Sequence, residues 1–223
     1  MERLKISFYF CIIKPYKKTN IIPIMELSNE NISLLSGHEN FTDNGKPIGL
    51  SIYDFWRFQY SNIWDMQEYI AEFLVAKALG LEMPQNCNGW TLWDMLYKGV
   101  KIEIKSTAYY HSWRSDGKVS NRRSFGITKA YSKYQDSTSE YKRQNDIYIF
   151  CLNTGNTKEE SNPLHLENWQ FYVVPTKVID EKCKDNKTIS LGQVRKLTNS
   201  TTGVSYSNLK REIDNVINDF ELH

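Results

Sequence analysis

The chain has 223 residues, 40% of them hydrophobic and 24% charged, with a formal net charge of +2. That suffices for one ordinary globular domain with its own core. The near-neutral charge allows a polyanionic partner without indicating one, so local clusters have to decide. Cys11, Cys87, Cys151 and Cys183 are scattered, and so are the four histidines. No metal-ligand spacing or disulfide framework results, and isolated thiols suit a reducing cytoplasm.

The N-terminus reads "MERLKISFYFCIIKP". Its apolar run, Ile6 to Ile13, is too short to span a bilayer, and no small-residue cleavage site follows. No membrane partner is expected. Met25 offers an alternative start, with residues 1–24 a loosely attached extension; an edge strand is the other reading, and the domain division is drawn as 1–25 and 26–223. Residues 26–223 then form a single domain. Residues 26–49, rich in Asn, Ser, Gly and Asp, read as a polar lead-in.

"SIYDFWRFQYS" reads as a helix with Ser51 as N-cap and Asp54 three residues on, and its aromatics as packing residues. In "NIWDMQEYIAEFLVAKALG", Ile70, Phe73, Leu74 and Ala78 recur at helical spacing, and Gly80 stands where the helix stops. Next, "LWDMLY" and "VKIEIKSTAYY" read as two strands around a tight Lys98-Gly99 turn. "RSFGIT", "DIYIFCLN" and "WQFYVVP" are further strands, and "EYKRQND" between them reads mostly as surface. A short helix follows Pro175, then a strand end and another short helix in "TISLGQVRKL". A final amphipathic helix carries Leu209, Ile213, Val216, Ile217 and Phe220 as its stripe. This order predicts an α/β (α+β) fold with a central mixed sheet flanked by helices.

The hairpin holds the chemistry. Strand alternation turns Val100, Ile102 and Ile104 one way, and Lys101, Glu103 and Lys105 the other. A two-residue turn pairs Tyr97 with Val100 and Met95 with Ile102, and so sets Asp94 opposite Glu103. Like charges facing across a strand pair repel unless a cation lies between them. Two carboxylates suit Mg²⁺, with Mn²⁺ as a substitute, and leave room for waters and a substrate phosphate. Lys105 reaches the same side and can polarise an attacking water; the Ile104 carbonyl lies near. Glu72, among Ile70, Ala71, Phe73 and Leu74, is an acid that needs a partner, whereas Glu68 reads as solvated. The bland alternative is a salt-bridged strand facing water.

This order resembles the PD-(D/E)xK, restriction-endonuclease-like superfamily. "EYIAEFLVAKALG" followed by "WDMLYKGVKIEIKSTAYYHSW" is similar to a bacterial subgroup of such nucleases, over residues 51–130. The resemblance implies that Asp94 and Glu103 hold the metal, that Lys105 is the catalytic lysine and that Glu72 is the helix acid. Trp93 stands where the superfamily often has proline. The implied function is a Mg²⁺-dependent endonuclease that hydrolyses DNA phosphodiester bonds in restriction or defence. The alternatives are an inactive DNA-binding or assembly module, or a nuclease of branched DNA or RNA. A homodimer is a further expectation, since cutting both strands commonly uses two sites.

"HSWRSDGKVSNRRSFGITKAYSKYQ" supplies a candidate DNA surface. Arg114, Lys118, Arg122, Arg123 and Lys129 can neutralise phosphates, and Tyr109, Tyr110 and Trp113 can stack on bases. A solvated basic loop is the plain alternative.

Overall fold

The computed structural model describes residues 35–81, 92–111, 119–120, 123–131 and 140–221. The expected extension, residues 1–25, lies outside them, as do Arg114, Lys118 and Arg122. In chain order the elements are β1 (Asn40–Asp43), β2 (Lys46–Ser51), α1 (Ile52–Tyr60), a 3-10 turn (Ile63–Met66), α2 (Gln67–Leu79), β3 (Met95–Tyr97) and β4 (Val100–Ala108). There follow β5 (Ser124–Gly126), β6 (Ala130–Tyr131), β7 (Tyr141–Lys142), β8 (Ile147–Asn153), β9 (Trp169–Pro175), α3 (Thr176–Cys183), β10 (Thr188–Ser190), α4 (Leu191–Leu197) and α5 (Tyr206–Glu221). The chain divides into two compact units, Met1–Tyr53 and Asp54–His223.

In the first unit, β1 and β2 form an antiparallel hairpin, where a polar lead-in was expected. Asn44 and Gly45 both have positive φ, 48° and 76°, the two-residue turn that Asn-Gly favours. That dipeptide was the available signal. Helix α1 forms as expected, but none of its residues is buried, and Phe58 is 84% exposed. Periodicity shows which residues share a face, not whether anything covers that face. The reading of these aromatics as packing residues is therefore corrected.

The second unit is built on a mixed four-stranded sheet in the order β3-β4-β8-β9. β3 and β9 are antiparallel to their neighbours, while β4 and β8 run parallel. All seven residues of β8 are buried, as expected of a strand covered on both faces. On one face Ile102, Ile104, Ile149 and Val173 pack against Leu74 and Val75 of α2 and Leu209, Ile213 and Ile217 of α5. On the other, Tyr148, Phe150, Leu152 and Val174 pack against Phe125 of β5, Ile179 of α3, Ile189 of β10 and Val194 of α4. The result is the expected α/β fold, a mixed sheet with helices on both faces.

Two packing expectations change. The buried stripe of α2 is Ala71, Leu74, Val75 and Leu79, and Phe73 is 57% exposed. The real stripe is turned by about one residue, which puts Glu72 at its border. Gly80 does end the helix, in the left-handed conformation, donating its N–H to the Ala76 and Lys77 carbonyls. In α5 the stripe is Leu209, Ile213 and Ile217, with Val216 half-buried; the Phe220 side chain lies outside those described. The second change concerns "EYKRQND". Arg143 and Asn145 within it are buried, not surface.

Helix α5 also fixes the β3–β4 hairpin. Asp214 accepts from Lys98 Nζ at 2.8 Å, Lys210 Nζ at 2.7 Å and the Tyr97 hydroxyl at 3.1 Å. Burial works against the Asp214 charge, but these donors outweigh it and hold the carboxyl down at about 2.

Candidate active site

The β3–β4 turn sets the register. Lys98 and Gly99 have φ of 50° and 80°, so both central residues are left-handed, as a two-residue hairpin turn requires. Met95 pairs with Ile102 and Tyr97 with Val100, the register read from the sequence. The alternation along β4 follows. Ile102 and Ile104 are buried, while Glu103 and Lys105 lie on the opposite face beside Tyr148 and Phe150 of β8.

Asp94 arrives differently from the expectation. β3 starts only at Met95, so Asp94 is not laddered against Glu103. Its N–H donates to the Ile102 carbonyl at 2.9 Å, and its Oδ2 accepts the Ile104 N–H at 2.6 Å. The carboxylate thus takes the place of a missing strand partner. Within a pleated strand a residue's N–H and C=O point to the same edge, so the Ile104 carbonyl shares this edge.

Asp94, Glu103 and Lys105 line one cleft of about 330 Å³, with Leu92, Thr128, Ala130 and Gln144. Lys105 Nζ lies 2.6 Å from Glu103 Oε1. Burial raises the Asp94 carboxyl above its ordinary value, against the Ile104 N–H and Lys105. Burial and then Asp94 raise Glu103, against Lys105. For Lys105, burial disfavours the charge, but Glu103 and Asp94 outweigh it and hold the ammonium above its usual range. Glu72, half-buried on α2, is pushed up to about 7 by burial, then by Asp94 and Glu68. Glu68 itself is exposed, as expected. The balance is three acids against one lysine.

Among the described residues no three His, Cys, Asp or Glu side chains converge to enclose an ion by themselves. Mg²⁺ does not require that. It dehydrates reluctantly and is commonly held by one or two carboxylates, with waters and substrate phosphate completing its shell. Asp94 and Glu103 fit that pattern by donor type, by burial and by an excess of negative charge. Glu72 is near enough to feel both, as an outer acid of the group.

That outer acid has a measurable consequence. In the unfolded chain Glu72 titrates near 4.5, and in the folded chain at about 7, so the folded state holds this proton more tightly. The resulting penalty is absent at pH below the unfolded value and full above the folded one. In EDTA, Glu72→Gln therefore raises the unfolding free energy by about 1–2 kcal/mol at pH 8 and by a few tenths at pH 5, after allowance for solvent screening. Urea titrations at the two pH values measure it; a destabilised variant at pH 8 would contradict the electrostatic reading.

The expected DNA surface is divided. Arg123 is half-buried, its guanidinium stacked 3.8 Å from the centre of the Tyr109 ring. Tyr109 is thereby covered on one face rather than open for base stacking. Lys129 is ion-paired with Asp185 at 2.8 Å. Three residues near these places escaped the sequence reading. Gln144 was assigned to surface, yet it lines the cleft and donates to the Ala130 carbonyl at 2.9 Å. Arg195 and Tyr172 come from elements with no local chemical signal, and they join Tyr109 only through the fold. No protein-family model matches the chain, and no curated protein matches it.

Proposed function

We propose that the chain is a Mg²⁺-dependent phosphodiesterase that hydrolyses the DNA backbone, in a restriction- or defence-like role. The observation that carries this reading is the cleft at the β3–β4 edge, where two half-buried carboxylates and a lysine meet and leave an excess of negative charge. Such a group is costly unless a cation or a reaction repays it.

In this reading Asp94 and Glu103 would hold the ion, with the Ile104 carbonyl and Glu72 as further oxygen donors. A bound Mg²⁺ or Mn²⁺ supplies Lewis-acid polarisation of the phosphate and neutralises developing charge. Lys105 stays protonated, because Glu103 holds its ammonium at 2.6 Å. Its role is accordingly a donor's, orienting the attacking water and stabilising negative charge on the pentavalent transition state. Water forms the new P–O bond and gives up a proton to solvent, the bridging ester bond breaks, and the leaving alkoxide takes up a proton.

No helix among the described residues is long and apolar enough to cross a membrane. The buried free thiols of Cys151 and Cys183 accord with a reducing, cytoplasmic setting. The test is incubation with supercoiled plasmid, with Mg²⁺ or Mn²⁺ against EDTA. Nicked, linear or laddered products with metal and intact plasmid in EDTA are expected. A linear product with no nicked precursor would mark a homodimer cutting both strands. Binding without cleavage under any metal would instead favour the DNA-binding module.

A further inference from the structure

The odd residues of β4 carry a second feature on the face that bears Glu103 and Lys105. Tyr109 follows the strand, and its N–H still continues the parallel ladder, donating to the Asn153 carbonyl at 2.9 Å. It packs into the same apolar cluster as Tyr148, Phe150 and Leu152. Tyr109 therefore lies on the Glu103–Lys105 face, four residues beyond Lys105.

Two arginines converge on it from elements far apart in sequence. The Arg123 guanidinium covers the ring at 3.8 Å. Arg195, on α4, donates from Nη2 to the Tyr109 hydroxyl at 3.3 Å and from Nε to the Tyr172 hydroxyl at 3.1 Å. Among the described residues, neither arginine has a carboxylate partner. Among the described residues, Lys98, Lys105, Lys129, Lys142, Arg143 and Lys210 by contrast each face an acid. The Nε of Arg123 is moreover buried with no hydrogen-bond partner. A buried N–H donor without an acceptor is costly, so the protein leaves this guanidinium incompletely satisfied. Stacking on Tyr109 and the hydroxyl bonds of Arg195 hold both guanidinium groups in place, so little side-chain entropy remains to be lost on binding.

We propose that Arg123 and Arg195 form a binding subsite for one backbone phosphate of the nucleic acid, separate from the phosphate being cleaved. This rests on the nuclease reading of the Asp94–Glu103–Lys105 cleft for its position relative to the scissile bond. Four residues of extended strand from Lys105 to Tyr109 span about 13 Å. Successive phosphates of one strand are displaced around the helix as well as about 3.4 Å along it, so that distance matches a phosphate about two nucleotide steps away. The subsite thus takes a flanking phosphate of the same substrate and fixes its register without reading a base.

The test is equilibrium binding of a short duplex oligonucleotide in EDTA, as a function of salt, for wild type and the double variant Arg123→Gln/Arg195→Gln. Loss of one phosphate contact lowers the steepness of log K against log salt by about 0.9. An affinity loss of about 5- to 10-fold at moderate salt should accompany it. A purely structural role of the arginines would leave that slope unchanged. For a measurement that does not depend on the variant's folding, wild-type chain is treated with phenylglyoxal and mapped by mass spectrometry; bound duplex should protect Arg123 and Arg195. Unchanged slope and affinity in a folded double variant, or no protection, overturns the proposal. So does wild type that fails to bind duplex at low salt. Micromolar inorganic phosphate that protects both arginines where duplex does not would assign a free anion and overturn the backbone assignment. Because EDTA removes cleavage from the readout, the two readings fail separately. A chain that never cuts DNA yet shows the slope change loses the nuclease reading and keeps the subsite. A chain that cuts DNA with no slope change loses only the subsite.

Discussion

If the chain is the proposed nuclease, Lys105→Ala should lower metal-dependent plasmid cleavage by about 10³-fold while the chain remains folded. The expected loss follows from position. Lys105 is the cation of the cleft, fixed at 2.6 Å from Glu103 and charged because its acidic neighbours outweigh its burial. Removing it takes away a donor that is already oriented before the transition state forms. The fold should survive, because β4 and β8 are paired through their backbones from Ile102 to Ala108. Truncating one side chain on that strand leaves the ladder intact. Asp94 and Glu103 lose a counter-charge, but each is already raised by burial and can take up a proton instead of unfolding the site. The stability cost should be about 1 kcal/mol. Cleavage assays in Mg²⁺ beside thermal melts of both proteins measure the two quantities. Lys105→Arg keeps the charge but replaces a compact ammonium by a planar fork, so it should rescue binding more than rate. Equal cleavage by Lys105→Ala would remove Lys105 from the mechanism.

The site was legible where local rules are strict. The Lys98-Gly99 turn fixes a register, and the two-residue side-chain period then assigns every face of β4, so Glu103 and Lys105 could be placed together by counting. Asp94 was placed near them for a partly wrong reason. Counting assumed that the strand continued, whereas its backbone turns out at that residue and the carboxylate caps the Ile104 N–H. Nothing in the residue pattern marks that stop. Asn44-Gly45 was a local signal that the polar composition around it obscured. The aromatics of α1 and Phe73 show the opposite limit. Hydrophobicity raises the odds of burial, but the neighbouring elements decide it. Arg195 illustrates why a binding surface is harder to read than a hairpin. It meets Tyr109 across 86 residues of sequence, and only the α4 packing brings it there.

Arg143→Met should cost about 3–5 kcal/mol of stability, a large share of the total for a domain of this kind. Arginine is read by default as surface, and here it is 4% exposed. Its burial is possible because three separate segments supply acceptors. Nε donates to the Ile127 carbonyl at 2.8 Å, Nη1 to Asp180 and to the Lys184 carbonyl at 3.0 Å, and Nη2 to the Asn186 carbonyl at 3.1 Å. The last two lie just past the C-terminus of α3, where a positive charge also meets the negative end of the helix dipole. Methionine fills similar volume but leaves these acceptors without their donor, and that loss sets the size of the effect. Arg143→Lys should fall between, since one ammonium cannot span the same three segments. Urea midpoints at constant m-value measure the series, and a loss under about 1 kcal/mol for the methionine variant would refute this role of Arg143. The consequence reaches the cleft. Ile127 is held by Arg143, Thr128 and Ala130 form the cleft wall immediately after it, and Gln144 is the next residue to Arg143. At low temperature, where the variant is still folded, cleavage should therefore weaken through a looser wall although no residue of the acid–lysine group has been altered.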